Sequence, residues 1–287
     1  MSQTINTNLV SLNAQRNLST SQSSLATSMQ RLSSGLRVNS AKDDAAGLAI
    51  AERMNTQVRG MNVAMRNAND AISLAQVGEG ALGQVGSILQ RMRELAVQAA
   101  NGTNSSTDRT SLNNEYLQLA NEATRTLGGT MFNGQPILSA TSASTYQVGA
   151  GTTANLDQIS VAAFAWTNNS AITTAVGAAV AGNPTTAIAG TDGSFAVAAI
   201  TGLDAAIDAV NSQRAVFGAV QNRFANVVST LQVSSENQSA ARSRIMDADY
   251  AAETANLSRA NILQQAGNAM VAQANQLPQQ VLALLKG

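Results

Sequence analysis

The strongest constraint on the fold is a long apolar repeat with a period of seven residues. The repeat begins with Met54, Met61 and Ala68. A second apolar seam, Val58, Met65 and Ile72, lies four residues after these three positions. Two such seams are typical of α-helices that wrap around each other. Ser40 and Asp43 match a capping box, so we predict one helix from about Ala41 to Asn101-Gly102. The first seam consists of Met54, Met61, Ala68, Ala75, Leu82, Leu89 and Ala96.

Two further segments continue the helical pattern. A shorter helix is predicted up to Gly128-Gly129, with its apolar face formed by Leu112, Tyr116, Leu119, Ala123 and Leu127. A second long helix is predicted after Thr201 and Asp204, which are placed to cap it; its seam is Leu203, Val210, Phe217, Phe224 and Leu231. Together these helices predict an antiparallel bundle whose halves are joined through the middle of the chain.

Both ends of the chain carry amphipathic helices with few charges. The N-terminal seam consists of Leu18, Leu25, Met29, Leu32 and Leu36. The C-terminal seam consists of Leu263, Met270, Leu277 and Leu284, with Gly267, Ala274 and Val281 interleaved. A helix of this kind is marginal alone in water and needs another apolar face.

The middle of the chain loses the helical spacing. Residues 139–200 are rich in Ala, Thr, Gly, Ser and Asn, and no Lys or Arg occurs from 126 to 213. Tyr146–Val148 and Leu156–Val161 are predicted to form a small hairpin. The fold class is therefore mainly α, a long antiparallel helical bundle or coiled coil with a small β-rich insert. The predicted divisions are 1–40 with 241–287, 41–140 with 201–240, and 141–200.

The composition argues against an enzyme. The chain has no cysteine and no histidine, which removes thiolate and imidazole chemistry and most metal ligand sets, so we expect no metal and no cofactor. The carboxylate pairs Asp43-Asp44 and Asp247 with Asp249 are explained more simply as helix starts. Gly78 to Gly83 match a dinucleotide-binding spacing but lack its strand, so we interpret these glycines as sites of close helix packing.

The charge pattern argues against nucleic acid and membrane partners. The 17 basic and 17 acidic side chains cancel, and no basic stripe is available for phosphates, so no nucleic-acid binding is expected. No continuous apolar run of membrane-spanning length occurs, so no membrane insertion is expected.

Several ordered motifs at the two ends are shared with one family. The N-terminal ones are Ile5-Asn6-Thr7-Asn8, Arg31-Leu32-Ser33-Ser34-Gly35-Leu36-Arg37 and Asn39 to Leu48. The C-terminal ones are Arg244 to Ala251, Asn261 to Ala266 and Val281 to Leu285. On these motifs the chain is very similar to bacterial flagellins.

The resemblance implies a structural subunit that polymerises into the extracellular filament used for swimming. It implies that the two ends pair as an inner tube, that the bundle forms an outer tube and that residues 141–200 face outward. The implied partners are copies of the chain itself, the flagellar export apparatus and its chaperone, the filament cap and the hook-associated junction proteins. Export through the flagellar channel without a cleaved signal peptide is also implied.

The segment Gln90 to Gln98 resembles the part of flagellins that a host Toll-like receptor recognises. By that likeness, Arg91, Leu95 and Glu115 are implied receptor contacts, with Leu95 as an apolar anchor. Taken alone, the charges of residues 91–94 are explained as a solvated helix face. The alternatives to a filament subunit are a hook-filament junction protein, which shares the tube helices, and a coiled-coil adhesin or scaffold.

Overall fold

A computed structural model describes residues 7–154, 156–180 and 188–286, and the side chains of 177–180 and 277–286 lie outside this description. Six α-helices occupy most of the described residues: α1 Leu9–Ser34, α2 Ala45–Ala100, α3 Ser106–Gly129, α4 Ser170–Val180, α5 Ser194–Met246 and α6 Tyr250–Lys286. The strands are β1 Met131–Phe132, β2 Gln135–Pro136, β3 Ser144–Gln147 and β4 Gln158–Val161, and a 3₁₀ helix spans Trp166–Asn168. The mainly α fold class is confirmed.

The start of α2 lies four residues after the predicted one. Ser40 and Asp43 form a turn instead of a cap, because the Asp43 carboxylate accepts hydrogen bonds from the backbone N–H groups of Asn39 and Ser40. These bonds hold the pKa of Asp43 below its ordinary value. The N-terminal cap is Asp44, whose Oδ1 accepts from the N–H of Gly47 at 2.8 Å.

The predicted cap of α5 is wrong. Thr201 and Asp204 lie inside the helix, which begins at Ser194. The carboxylate that precedes the helix is Asp192, which accepts from the backbone N–H of Ser194 at 3.2 Å and from its hydroxyl at 2.6 Å. Alanine-rich sequence between Ser194 and Thr201 has no apolar period, yet alanine has the highest intrinsic helix propensity.

The chain divides into two compact units. Unit 1 comprises Met1–Gln57 and Glu236–Gly287, and unit 2 comprises Val58–Ser235. These boundaries differ from the predicted divisions at 40 and 241, because α2 and α5 each contribute residues to both units.

The core of unit 2 confirms the predicted seam of α2. Its members from Ala68 to Ala96 are at most 1% exposed. Helix α5 runs antiparallel to α2, since Gly78 lies beside Phe217 and Arg93 pairs with Asp204. A methyl group at Gly78 would lie 3.0 Å from the Phe217 ring, which supports close helix packing there. At Gly80 and Gly83 the space is open, so close packing does not explain those two.

The predicted hairpin is confirmed, as β3 pairs with β4 in antiparallel register from Ser144 opposite Val161 to Gln147 opposite Gln158. Tyr146 packs edge-to-face on Phe224 of α5, with ring centroids 5.5 Å apart. The insert is not only β-rich, however, because it also contains α4. The Asn169 side chain caps this helix by accepting from the N–H groups of Ala171 and Ile172.

One described helix, α5, is long and apolar enough over 18 residues to cross a membrane by length and composition alone, with a mean hydropathy of 1.2. The sequence analysis considered continuous apolar runs, and this 18-residue stretch qualifies by its mean hydropathy instead. The buried residues of α5 include Ala196, Leu203, Ala206 and Val210 in the core of unit 2. A core helix passes the same test, so this feature is weak evidence for a membrane.

Candidate self-assembly and recognition surfaces

In unit 1, α1 and α6 form an antiparallel pair. Leu18 packs on Gly267, where an added Cβ would lie 3.6 Å from the Cβ of Leu18. At the free end, Asn8 Nδ2 donates to the carbonyl of Ala274 at 2.7 Å, and the hydroxyl of Ser11 donates to Asn275 Oδ1 at 2.7 Å. Glycine at 267 thus lets a leucine approach the α6 backbone closely.

The facing sides of the pair alternate large and small residues. Leu18, Leu25 and Leu32 are half-buried on the side of α1 that faces α6. The more buried positions of α1 are Ser11, Ala14, Leu18, Ser21, Leu25, Ser28, Arg31 and Leu32, and those of α6 are Glu253, Thr254, Leu257, Ala260, Gln264, Gly267, Val271 and Ala274. The pair is therefore joined by leucines against small side chains.

Two residues of the predicted C-terminal seam, Leu263 and Met270, do not lie between the two helices. Leu263 and Met270 are 50% and 60% exposed, and Met29 of α1 is equally exposed. Gly267 and Ala274, which the sequence pattern interleaves with Leu263 and Met270, lie on the side of α6 that faces α1. Leu277, Val281 and Leu284 fall among the residues whose side chains are outside the structural description.

The motif residues 35–38 cross the chain segment between α5 and α6. The N–H of Ala248 donates to the carbonyl of Gly35 at 2.9 Å, and the N–H of Arg37 donates to that of Met246 at 2.6 Å. Gly35 has φ +70°, a left-handed conformation that favours glycine and ends α1. Leu36, the last predicted seam residue, lies opposite Asp247 at this crossing.

On unit 2, two of the implied receptor contacts, Arg91 and Glu115, lie side by side. Arg91 Nε and Nη2 donate to Glu115 Oε1 at 3.1 and 2.8 Å, and Nη1 donates to Glu94 Oε2 at 2.9 Å. The bonds to Glu115 and then to Glu94 raise the pKa of Arg91 above its ordinary value. All three side chains are exposed, so this charge cluster is open to a partner.

Leu95 does not lie on this surface. It is 1% exposed and packs in the core of unit 2, so in this conformation it cannot be an exposed apolar anchor. The spacing of Ile88, Met92, Leu95 and Ala99 already places it on the buried face of α2. The exposed apolar residue of the same helix stretch is Val97, at 50%, which the sequence analysis missed.

Arg109 of α3 hydrogen-bonds to the residues at the end of α2. It is buried, and its guanidinium donates to the carbonyls of Ala99 at 2.9 Å, Asn101 at 3.2 Å and Thr191 at 3.1 Å. Cations near a helix C-terminus satisfy carbonyls that have no partner within the helix. Arg109 thereby positions α3 beside the Arg91 surface.

We expect Arg109→Met to lower the free energy of unfolding of unit 2 by about 2–4 kcal/mol, because one buried and two partly buried carbonyl contacts lose their donor. Urea unfolding followed by the fluorescence of Trp166, the single tryptophan, measures this change. Arg125→Met is the matched control, since Arg125 is exposed and bonds only Glu122 on its own helix. An equal loss in both variants would contradict the role of Arg109.

The described residues contain no group of three or more acidic side chains that could hold a metal ion. The candidate surfaces that the structure presents are the outward faces of α1 and α6 and the Arg91 cluster.

Comparison with known proteins places the chain in a family. Residues 5–143 match the bacterial flagellin N-terminal helical region, and residues 200–285 match the C-terminal helical region. A flagellin of Halalkalibacterium halodurans is 46% identical over 282 residues, covering 98% of this chain and 99% of the relative. A flagellin of Bacillus subtilis is 41% identical over 309 residues, with coverage of 98% and 99%.

A solved structure from Vibrio parahaemolyticus, described as a flagellar hook-associated protein, is similar in fold. Its TM-score is 0.57 at 13% identity, and the match covers 71% of this chain and 100% of that one. At that identity the likeness concerns the fold alone, whereas the flagellins match over nearly their full length. This chain belongs to the bacterial flagellin family, the structural subunits of the flagellar filament.

Proposed function

We propose that this chain polymerises with copies of itself through the outward faces of α1 and α6. The observation that carries the proposal is the exposure of large apolar side chains on this pair, namely Leu9, Val10, Leu12, Met29, Ile262, Leu263 and Met270. Exposed apolar surface on this scale favours burial against another protein. A head-to-tail contact between copies that does not close into a ring extends as a helical filament.

The charge pattern supports contact between copies at α6. Residues 260–285 contain no charged side chain, so their burial would not require any charge to leave water. The whole chain has no formal net charge, which keeps the repulsion between copies small.

The test is seeded assembly of the full chain. Purified protein is mixed with short filament seeds or ammonium sulfate and observed by negative-stain electron microscopy. Long tubular filaments are the expected result. A chain that stays monomeric under both conditions would favour the hook-filament junction or scaffold alternative.

We further propose the arrangement that family membership supports. Residues 1–40 and 241–287 would line an inner tube, 41–140 and 201–240 an outer tube, and 141–200 the outer surface. Export would use the flagellar channel and a chaperone without a cleaved signal peptide. The cap and the hook-associated junction proteins would then meet the two ends of the filament.

We also infer that a host Toll-like receptor binds the Arg91 surface. The observation that favours this second function is the exposed cluster in which Arg91 donates to both Glu115 and Glu94, because it presents opposite charges at fixed spacing to a partner. Leu95 would act from the core by supporting α2, and Val97 would supply the apolar contact.

Arg91→Ala is expected to weaken signalling by about tenfold in a receptor-reporter assay, since charged anchors at interfaces carry a large share of binding energy. Arg125→Ala is the matched control because it removes a similarly exposed arginine from α3. An unchanged response to Arg91→Ala would count against this surface as the receptor site.

A further inference from the structure

We propose that Asn101 is a site of spontaneous chemical modification, at which the folded chain converts an asparagine to aspartate and isoaspartate with water as the co-reactant. The sequence contains two Asn-Gly pairs, Asn101-Gly102 and Asn133-Gly134. Such pairs are susceptible because glycine has no side chain to hinder attack by its own backbone nitrogen on the asparagine. The two pairs lie in different surroundings, and the first is arranged to react.

The reaction takes place within the main chain. A base from solvent removes the proton of the Gly102 N–H, and the nitrogen forms a bond to the side-chain carbonyl carbon, Cγ, of Asn101. The bond from Cγ to the side-chain nitrogen breaks, and ammonia leaves after it has taken a proton from water. Water then opens the resulting succinimide ring at either carbonyl, which yields aspartate or isoaspartate. No oxidation or reduction takes place.

The side chain of Asn101 is activated at the carbon that is attacked. Its Oδ1 accepts a hydrogen bond from the backbone N–H of Thr103 at 3.3 Å. When Cγ is attacked, negative charge develops on Oδ1, and a donor that is already in place stabilises this charge. The same bond ties the side chain to the residue after Gly102, so it keeps Cγ close to the Gly102 nitrogen.

The backbone carbonyl of Asn101 favours formation of the nucleophile. Its oxygen accepts from Arg109 Nη2 and from the N–H of Asn104, both at 3.2 Å. This carbonyl belongs to the same peptide group as the Gly102 nitrogen, so charge on the deprotonated nitrogen is shared with the oxygen. A guanidinium bonded to that oxygen therefore stabilises the reactive anion more than the neutral amide.

The surroundings leave room for the ring. Asn101, Gly102 and Thr103 are exposed, and a methyl group added at Gly102 would meet none of the described residues within 4 Å. The segment follows the end of α2 at Ala100 and precedes the start of α3 at Ser106. The peptide plane that rotates during ring closure therefore lies outside both helices.

Asn133-Gly134 lacks these features. The pair forms the turn between β1 and β2, with φ +50° at Asn133 and +75° at Gly134, and Phe132 pairs with Gln135 across it. Rotation of the peptide plane toward the Asn133 side chain would disrupt that pairing. Among the described residues, none donates a hydrogen bond to Asn133 Oδ1. The fold therefore protects this pair, although the two dipeptides are identical.

Conversion changes the connection between α2 and α3. Aspartate at position 101 adds a negative charge close to Arg109. In isoaspartate, the carbonyl that Arg109 binds becomes part of a free carboxylate, and the main chain continues through the former side chain. Either product therefore alters the contact through which Arg109 positions α3.

The test follows both pairs in the full-length chain, kept in mildly alkaline buffer. Mass spectrometry of tryptic peptides, including residues 94–109 released by cleavage after Arg93 and Arg109, measures the converted fraction, and an isoaspartyl methyltransferase identifies isoaspartate. In the native protein Asn101 should convert about tenfold faster than Asn133, a barrier difference of about 1.4 kcal/mol. In urea, where both pairs are unfolded, the two rates should agree within about a factor of two.

Thr103→Pro removes the N–H that donates to Asn101 Oδ1, whereas the matched control Thr103→Ala keeps it. We expect Thr103→Pro to slow the native conversion of Asn101 by about tenfold, as for the loss of one hydrogen bond in the transition state. Thr103→Ala should leave the rate unchanged. Urea unfolding followed by Trp166 fluorescence checks that both variants remain folded.

Equal native rates at the two pairs, or a difference that persists in urea, would overturn the proposal. Equal rates in Thr103→Pro and Thr103→Ala would do the same, because the hydrogen bond to Oδ1 would then contribute nothing. If Thr103→Pro unfolds, the comparison of the native and urea-treated parent chain decides. The outcome does not depend on whether the protein polymerises.

Discussion

The double substitution Leu263→Asp and Met270→Asp is expected to abolish polymerisation while leaving α6 paired with α1. Both side chains point away from the inner side of the pair, where Gly267 lies against Leu18. Burying each apolar side chain against another copy contributes about 1.5–3 kcal/mol, and an unpaired carboxylate would add a cost of its own. The critical concentration for assembly should therefore rise by more than about 100-fold.

Sedimentation of seeded filaments at steady state measures this effect, and far-UV circular dichroism checks that the monomer keeps its helix content. Gln265→Asp and Gln273→Asp form the matched control, because they add two charges at exposed polar positions of the same helix. Assembly of the Leu263 and Met270 variant at the parent's critical concentration would show that these residues do not contact neighbouring subunits.

The second large effect is expected from Phe224→Ala. Phe224 is fully buried and packs edge-to-face on Tyr146, so it joins α5 to the β3–β4 hairpin. Removal of a buried phenylalanine ring costs about 3–5 kcal/mol in free energy of unfolding, since the cavity refills only in part. We expect a loss of this size in unit 2, with the hairpin losing its main contact.

Urea unfolding followed by Trp166 fluorescence measures the stability, and amide hydrogen exchange of residues 144–161 reports the hairpin. Phe195→Ala provides the comparison, because Phe195 lies on the same helix with half of its surface exposed, and its removal should cost less than about 1 kcal/mol. Similar losses in the two variants would mean that Phe224 does not anchor the hairpin.

Several elements were predictable because each depends on residues close in sequence. The heptads of α2 and α5 require a buried face, and Gly128-Gly129 marks the end of α3. The hairpin at 144–161 followed from short alternating segments bounded by Gly and Thr. The start of α5 was missed because an alanine-rich segment has helix propensity without an apolar period. α4 was missed for a different reason, since it is a short helix inside a segment whose composition resembles that of a loop.

The candidate sites were predicted less completely than the helices. Arg91 of α2 and Glu115 of α3 form an ion pair, although they are 24 residues apart in sequence. Leu95 was assigned by likeness to an exposed role, while its own helical spacing already indicated burial. The same spacing leaves Val97 as the exposed apolar residue of this stretch.

By itself, the sequence determined that this chain forms long amphipathic helices, that it lacks the cysteine and histidine on which thiol chemistry and most metal ligand sets depend, and that it belongs with the flagellins. Only the tertiary structure decided which stripe of α6 faces α1. Periodicity locates an apolar stripe on a helix but does not name its partner. Leu263 and Met270 formed the larger stripe, yet the smaller residues Gly267 and Ala274 face α1, because their size allows its leucines to approach the α6 backbone.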